Sequence, residues 1–232
     1  MKYMGSKNRI AKHILPIMLA ERKPNQWWVE PFVGGANMID KVGGNRIGAD
    51  NNKYLIALLK EMQTQVPFNP PHIGEQEYKN IQKNKDNYLE WLVGYAGFNL
   101  SFAAKFFGGY RRDKAGIRNY ENEAHQNLLA QQNLLAQVKF ICCDYKELEI
   151  PENSLIYCDP PYFNTTKYKA GINHDDFWQW CRDKHNEGHI VFVSEYNAPE
   201  DFECIWQKEI VSSLTKDTGS KKAFEKLFRY KA

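Results

Sequence analysis

The chain has 232 residues, a formal net charge of +3 and 43% hydrophobic residues, which suffices for one α/β domain with an insertion. It has no run of the roughly 20 apolar residues that a membrane span needs and no secretory cleavage site near its start, which predicts a cytoplasmic protein with no membrane partner. The five cysteines include an adjacent pair and lack zinc-ligand spacing, so we expect reduced thiols and no metal.

The first part of the chain predicts two successive strand–turn–helix units. The predicted elements are a helix at 7–22 with a break or kink at Pro16, a strand at 26–30, a helix start at 36–42, a strand at 46–50 and a helix at 51–65. Strands and helices that alternate in this way are typical of a parallel sheet.

Residues 66–137 interrupt this alternation. Prolines mark the start of the segment, and polar helical stretches then enclose an aromatic, glycine-rich and basic centre at 94–120. The alternation resumes with strands at 138–142, 155–158 and 189–194, a helix at 175–187, and an antiparallel hairpin of 204–211 with 223–230 at a sheet edge. We therefore expect an α/β domain of residues 1–65 and 138–232, with a mainly helical inserted subdomain at 66–137.

The tetrapeptide Asp159-Pro160-Pro161-Tyr162 directly follows the strand predicted at 155–158. Two prolines cannot continue a sheet ladder, so they fix a rigid turn at the carboxyl end of the strand, where ligands bind in parallel α/β sheets. The Asp159 carboxylate and the Pro160 carbonyl can each accept a hydrogen bond from an aromatic amine, which aims the nitrogen lone pair at a methyl donor. Tyr162 can stack on the ring. The tetrapeptide predicts catalysis of methyl transfer to an amine; the alternative is a turn with a strand-end aspartate.

A glycine turn and a strand-end carboxylate together predict a nucleoside cofactor. Residues 32–36 form the glycine turn, where a ligand can approach the backbone, although an ordinary strand–helix turn would look the same. Asp50 ends the next strand, where a carboxylate can accept hydrogen bonds from ribose hydroxyls. Asp144 and Tyr145 follow a third strand and can contact the cofactor's base, or Asp144 can cap a loop. Lys7, beside another glycine, can hold a carboxylate or can simply be solvated.

The centre of the insert combines the side chains that contact nucleic acids. Arginine binds guanine at two atoms, asparagine pairs with adenine and lysine neutralises phosphate. The candidate DNA-binding residues are Asn99, Lys105, Tyr110, Arg111 and Arg112. The phenylalanines nearby can fill the gap left by a flipped base, or they can form the core of the small subdomain.

These segments and their order resemble the Dam-type DNA adenine N6-methyltransferases, including enzymes of phages and prophages, over nearly the whole chain. Residues 3–7 match the family's Y-x-G-x-K segment, residues 32–36 match its F-x-G-x-G motif with alanine at the last glycine, and Asp50 and Asp144 match its acidic positions. A cofactor motif, an insert that reads the DNA sequence and then the catalytic tetrapeptide is the order of the family's alpha class.

The resemblance implies a Rossmann-like S-adenosylmethionine-dependent methyltransferase sheet and a flipped adenine in double-stranded DNA as the substrate. It also implies a site-specific enzyme, whose target GATC is a family expectation only, with no obligate protein partner. The catalytic residues that it implies are Asp159, Pro160, Pro161 and Tyr162. The cofactor-binding residues that it implies are Tyr3, Lys7, Glu30, Phe32, Gly34, Asp50, Asp144, Tyr145 and Asp159.

Three other functions share part of this pattern. Cytosine-N4 methylation poses the same amine problem, but its tetrapeptide more often begins with serine. Methylation of RNA or of a protein glutamine more often uses Asn-Pro-Pro-Tyr. A catalytically inactive DNA-binding relative would keep the fold, although the intact pocket residues argue against it. Asp159 favours adenine. The cluster His174-Asp175-Asp176 predicts a helix N-terminus and not a metal site.

Overall fold

The structure is a computed structural model that describes residues 1–113, 115–162, 172–212 and 221–231, with the side chains of 210–212 and 221–223 left aside. The chain forms two compact units. Unit 1 comprises Met1–Ala11 and Val33–Leu148, and unit 2 comprises Lys12–Phe32 and Glu149–Ala232. Among the helices of the described ranges, none is both long and apolar enough to cross a membrane.

The secondary structure alternates between strands and helices along much of the chain. The strands of the described residues are β1 (Trp28–Glu30), β2 (Arg46–Asp50), β3 (Val138–Cys142), β4 (Leu155–Cys158), β5 (Ile190–Glu195), β6 (Phe202–Ser212) and β7 (Lys221–Tyr230). The α-helices are α1 (Ala11–Glu21), α2 (Lys53–Thr64), α3 (Glu75–Lys83), α4 (Glu90–Gly94), α5 (Tyr120–Gln132) and α6 (His174–Asn186). The predicted α/β fold class is confirmed.

Unit 1 is built on the parallel pair β2 and β3, in which Gly48 lies opposite Phe140 and Asp50 lies opposite Cys142. Helix α2 begins directly after β2, because the Asn52 side chain accepts a hydrogen bond from the backbone N–H of Leu55 (3.1 Å). One face of α2 is buried in the core of the unit. The strands predicted at 46–50 and 138–142 and the helix between them are confirmed.

Two helix predictions near the N-terminus are wrong in detail. The helix predicted over 7–22 begins at Ala11 and runs through Pro16 without a break, because Ile14 and Met18 beside the proline are fully buried and hold the helix in place. The helix start predicted at 36–42 is only a single 3₁₀ turn. Ala36 has φ of +56°, a left-handed conformation from which an α-helix cannot start.

Residues 66–137 belong to unit 1 and contain most of its helices. Between α4 and the loop that follows, residues Tyr95–Asn99 form one turn of π-helix. Helix α4 packs closely on α2, since a Cβ atom added at Gly94 would lie 2.1 Å from the carbonyl oxygen of Tyr54. The residue at this crossing must therefore be glycine.

Unit 2 contains the strand order β1-β4-β5-β7-β6, with β1, β4 and β5 parallel and the last two strands antiparallel. The hairpin predicted at the end of the chain is confirmed. Helix α6 begins at His174, where the Asn173 side chain accepts hydrogen bonds from the N–H groups of Asp175 and Asp176. The acidic cluster therefore occupies the first turn of a helix, as predicted.

Candidate functional site

Asp50, the last residue of β2, fixes the glycine turn of unit 1. Its Oδ2 accepts a hydrogen bond from the N–H of Gly34 (3.3 Å), and its Oδ1 accepts one from the N–H of Asn52 (2.9 Å). Burial raises the pKa of Asp50 to about 6, although the two backbone N–H groups act in the opposite direction. A carboxylate held in this position can accept hydrogen bonds from ribose hydroxyls with its remaining lone pairs.

Tyr3 lies directly against the glycine turn. A Cβ atom added at Gly34 would be 2.7 Å from Cε1 of Tyr3, and one added at Gly35 would be 2.5 Å from the Cβ of Tyr3. Both glycines are thus required by the Tyr3 side chain, an explanation that the sequence pattern did not suggest. Gly34 also has φ of +48°, which favours glycine by itself.

Lys7 is 7% exposed, which excludes the alternative of a solvated N-terminal lysine. Its Nζ donates a hydrogen bond to the carbonyl oxygen of Gly5 (3.2 Å), a residue with φ of +83°. A buried ammonium group needs several hydrogen-bond acceptors or a negative charge. Lys7 is therefore part of the packed N-terminal segment of unit 1.

Asp144 and Tyr145 follow β3 and are linked to Asp50 by one backbone contact, in which the N–H of Cys143 donates to the carbonyl oxygen of Asp50 (3.3 Å). The Oδ1 of Asp144 accepts a hydrogen bond from the N–H of Lys146 (3.0 Å), so the residue does cap its loop. Tyr145 is buried. Unit 1 thus brings Tyr3, Gly34, Asp50 and Asp144 together through contacts that are independent of any ligand.

The tetrapeptide at 159–162 stands at the end of the most buried strand of unit 2. All four residues of β4 are buried, and the strand is flanked by β1 and β5. Asp159 is half-buried and Pro160 is buried. Because neither Pro160 nor Pro161 has an N–H group, the two residues that follow Asp159 cannot donate hydrogen bonds to its carboxylate.

Tyr162 is held by two residues that the sequence pattern did not single out as its partners. Its hydroxyl donates a hydrogen bond to Oε2 of Glu225 (2.8 Å), a buried carboxylate on β7. Its ring meets that of Tyr196 edge to face, with centroids 4.5 Å apart. Burial, followed by the nearby Asp159 and Glu225 carboxylates, raises the pKa of Tyr162 well above its ordinary value, so the hydroxyl remains a donor. The sequence does contain one signal for this partner. Glu225 is two residues from the apolar Leu227 on β7, so the two share the buried face of the strand, where a glutamate needs a partner.

A cavity of about 260 Å³ lies beside Tyr196 in unit 2. Its lining residues are Tyr196, Asn197, Phe224 and Lys226. Phe224 is a large exposed aromatic side chain, and the other residues supply an amide and a positive charge. Aromatic rings next to an amide and a cation suit a nucleotide.

Glu30 and Phe32 have structural partners within unit 2. The Oε1 of Glu30 accepts a hydrogen bond from Nε1 of Trp28 (2.8 Å), and both residues are buried. The ring of Phe32 meets the edge of Phe177 with centroids 5.7 Å apart. These contacts orient the end of β1.

Of the five residues predicted to contact DNA, Lys105 and Arg112 are exposed. The Tyr110 hydroxyl donates to the carbonyl oxygen of Ile73 (3.1 Å), and the Arg111 guanidinium stacks 3.8 Å from the ring centroid of Tyr120. Asn99 differs most from the expectation. It lies at the end of the π-helical turn and is 4% exposed, so its amide is buried in unit 1.

The phenylalanines of the insert divide into two kinds. Phe106 and Phe107 pack against Gly97, where an added Cβ would lie 2.4 Å from Phe106. Phe102 is 65% exposed, at a loop closed by a hydrogen bond from its N–H to the carbonyl oxygen of Gly109 (2.8 Å). The first two are half-buried and pack within the insert, whereas the Phe102 side chain lies on the surface.

Comparison with known proteins gives one family match and one curated relative. The model of the family described as D12 class N6 adenine-specific DNA methyltransferase matches residues 3–92 and 74–188. The type II methyltransferase M.FokI of Planomicrobium okeanokoites is 26% identical over 210 residues, which cover 78% of this chain and 31% of M.FokI. The chain thus spans about a third of the curated relative that it matches.

Two solved structures match this chain with TM-scores below 0.5. TrmN from Thermus thermophilus is 12% identical, with a TM-score of 0.42 over 97% of this chain and 49% of its own. SMU.472, complexed with SAH, is 13% identical, with a TM-score of 0.44 over 100% of this chain and 54% of its own.

Proposed function

Because the chain belongs to the D12 class N6 adenine-specific DNA methyltransferase family, we propose that it transfers a methyl group to the N6 amine of adenine in double-stranded DNA. Family membership indicates S-adenosylmethionine as the cofactor. The observation that carries the proposal is the turn Asp159-Pro160-Pro161-Tyr162 at the end of β4, with the Tyr162 hydroxyl bound to Glu225.

The chemical task is to make a poor nucleophile react. The lone pair of the adenine amine is delocalised into the ring, and the cofactor supplies an electrophilic methyl group. The Asp159 carboxylate and the Pro160 carbonyl each accept one amine hydrogen, which draws the nitrogen toward tetrahedral geometry and directs its lone pair at the methyl carbon. No covalent bond between the enzyme and the base is needed.

Tyr162 holds the base by stacking. Its hydroxyl donates to Glu225 and its ring packs in a T-shaped pair with Tyr196, so the ring has one fixed orientation. Adenine reaches this ring only after the nucleotide has rotated out of the duplex, which costs about a few kcal/mol. The cavity lined by Tyr196 and Phe224 offers aromatic surface for the extruded nucleotide.

Unit 1 supplies the cofactor half of the proposal. Asp50 accepts the ribose hydroxyls, Asp144 and Tyr145 contact the adenine of the cofactor, and Lys7 binds its carboxylate. Two observations support a fit with this ligand: the glycine turn is tied to Asp50, and Lys7 is buried in the segment that covers the turn. Tyr3 packs against the glycine turn within the same unit.

The insert reads the DNA in this proposal. Lys105 and Arg112 are exposed and neutralise phosphates, while Tyr110 and Arg111 orient the segment between them. We further propose a Dam-type, site-specific enzyme of the alpha class, phage-like in origin, that acts in the cytoplasm. Its target sequence is found by digesting DNA from the expression host with methylation-sensitive nucleases.

The proposal is tested by offering the purified protein several substrates with a labelled methyl donor. Duplex DNA, RNA of the same sequence and a mixed protein extract are incubated in parallel, and the label in each is counted. We expect label in duplex DNA alone. Label in RNA or protein, with none in DNA, would contradict the proposed substrate.

A further inference from the structure

The buried amide of Asn99 is a polar group for which the fold provides no partner. Asn99 ends the π-helical turn Tyr95–Asn99 and is 4% exposed. Neither its Nδ2 nor its Oδ1 has a hydrogen-bond partner among the described residues. A carboxamide has two donor hydrogens and two acceptor lone pairs, and burying all of them without partners opposes folding. Such a group calls for a function, and π-helical turns are frequent at functional sites.

Two contacts locate this turn in unit 1. On one side, α4 reaches the start of α2, with the carbonyl oxygen of Tyr54 next to Gly94. On the other side, the ring of Phe98, the residue before Asn99, lies 5.5 Å from the ring of Tyr3. Helix α2 follows Asp50, and Tyr3 covers the glycine turn that Asp50 holds. Asn99 therefore belongs to the part of unit 1 that carries the proposed cofactor residues.

The hydrogen-bonding capacity of the Asn99 amide indicates which part of the cofactor it can bind. Under the proposed function, Asp50 serves the ribose of the cofactor, and Asp144 with Tyr145 serves its adenine. The remaining end of the cofactor is an amino acid, with one carboxylate and one ammonium group side by side. A buried zwitterion needs both hydrogen-bond donors and acceptors. Lys7 can only donate, whereas a carboxamide can donate from Nδ2 and accept at Oδ1.

We propose that Asn99 binds the amino-acid end of the cofactor, with Nδ2 donating to its carboxylate and Oδ1 accepting from its ammonium group. This inference rests on the proposed function and adds a residue to it. It also reassigns Asn99 from the DNA to the cofactor. Cofactor binding then satisfies an amide that folding leaves without partners, so the site is built at the expense of stability.

The test compares two ligands that differ only at the proposed contact. S-adenosylhomocysteine carries the amino-acid end, and methylthioadenosine lacks it while keeping the adenine and the ribose. Titration calorimetry measures the Kd of each ligand for the wild type, for Asn99→Ala and Asn99→Leu, and for the matched control Asn122→Ala, an exposed asparagine of the same unit. The Tm of each protein is measured without ligand.

We expect Asn99→Ala and Asn99→Leu to weaken S-adenosylhomocysteine binding by about tenfold to hundredfold, as loss of hydrogen bonds to charged groups does. Methylthioadenosine binding is expected to stay unchanged, and the control is expected to bind both ligands like the wild type. Asn99→Leu is expected to melt no lower than the wild type, because it removes a buried amide without partners.

Three results would overturn the inference: unchanged binding of S-adenosylhomocysteine, an equal loss for both ligands, or a lowered Tm in Asn99→Leu. If the apolar variants do not fold, Asn99→Asp keeps the shape, and its charge is expected to weaken S-adenosylhomocysteine alone. A wild-type protein that binds no S-adenosylhomocysteine contradicts the proposed function itself, and that result is obtained before any variant is made.

Discussion

Two aspartates stand at the carboxyl ends of parallel strands, and the chain surrounds them differently. Asp50, the last residue of β2, accepts hydrogen bonds from two backbone N–H groups, one of them from a glycine turn. Asp159, after β4, is followed by two prolines that have no N–H to donate. The first carboxylate is thus held by nearby backbone N–H groups, whereas the two prolines that follow the second have no N–H to donate to it.

This difference shows how aspartate can serve two tasks, recognition of the cofactor and activation of the amine. A carboxylate fixed by the backbone is a rigid acceptor, which suits the recognition of ribose hydroxyls that are the same in every cofactor molecule. The carboxylate that is followed by two prolines receives no hydrogen bond from their backbone, and we propose that it accepts one from the amine of a base that enters and leaves. Proline and glycine, which carry no functional group, therefore decide what each aspartate can do.

Replacing Asp159 is expected to have the largest effect on activity. Asp159→Ala removes an acceptor for the amine hydrogens, and we expect kcat to fall by about 10²–10³-fold, as with loss of one group that stabilises a transition state. Glu152→Ala removes an exposed carboxylate of the same unit and is the matched control. Circular dichroism should show an unchanged fold in both variants. Near wild-type turnover in Asp159→Ala would refute the catalytic role of this aspartate.

Replacing Asp50 is expected to affect binding more than chemistry. Asp50→Asn should weaken S-adenosylhomocysteine by about tenfold, because a charged acceptor becomes a neutral one. Asp86→Asn, at an exposed aspartate of unit 1, should leave the Kd unchanged. If Asp50→Asn lowers kcat and leaves the Kd intact, the division of roles between the two aspartates is wrong.

The raised pKa of Asp50 predicts that both the stability of the protein and its affinity for the cofactor depend on pH. Burial raises this pKa from 3.8 to about 6, so the folded protein keeps a proton that the unfolded chain has released. The contribution of Asp50 to the free energy of unfolding therefore decreases as the pH rises from about 4 to about 6. Ribose hydroxyls bind the ionised form, so cofactor affinity should increase over the same interval. Denaturant titrations and calorimetry should show both trends in the wild type and neither in Asp50→Asn.

Two substitutions of Tyr162 distinguish the stacking of its ring on the base from its hydrogen bond to Glu225. Tyr162→Phe keeps the ring and loses the contact with Glu225, so we expect less than about a tenfold loss of kcat/KM for DNA, about the free energy of one hydrogen bond. Tyr162→Ala also loses the stacking of one base, for a further loss of about 1–3 kcal/mol. Steady-state kinetics on duplex DNA distinguish the two. Equal losses in both variants would mean that the ring does not hold the base.

Replacing Arg112 tests whether the insert binds DNA, and it is expected to have the smallest effect of these substitutions. It is exposed and pairs with Glu75 in the absence of DNA. Arg112→Ala should weaken DNA binding uniformly across sequences and lower the slope of log K against log salt by about 1. Lys23→Ala, at an exposed cation of unit 2, should leave the slope unchanged. A loss confined to one DNA sequence would instead assign Arg112 to a base.

The sequence was most informative where polar residues follow apolar strands. The strands predicted to end at Asp50 and Cys158 are confirmed, because both segments have strand length and are bounded by turn residues. It failed at 36–42, where a left-handed Ala36 ends the turn, since alanine gives no signal of positive φ. The burial of Asn99 and Glu225 was not predicted, because burial of a polar residue depends on neighbours from distant segments.

The central claim is that the amine activated at Asp159 is the N6 amine of adenine. The most direct test is to methylate duplex DNA that contains all four bases, digest it to nucleosides and identify the methylated nucleoside by mass spectrometry. The account predicts N6-methyladenosine in its deoxy form, with none from the Asp159→Ala variant. N4-methylcytosine, or no methylated base from an enzyme that binds S-adenosylhomocysteine and duplex DNA, would contradict it.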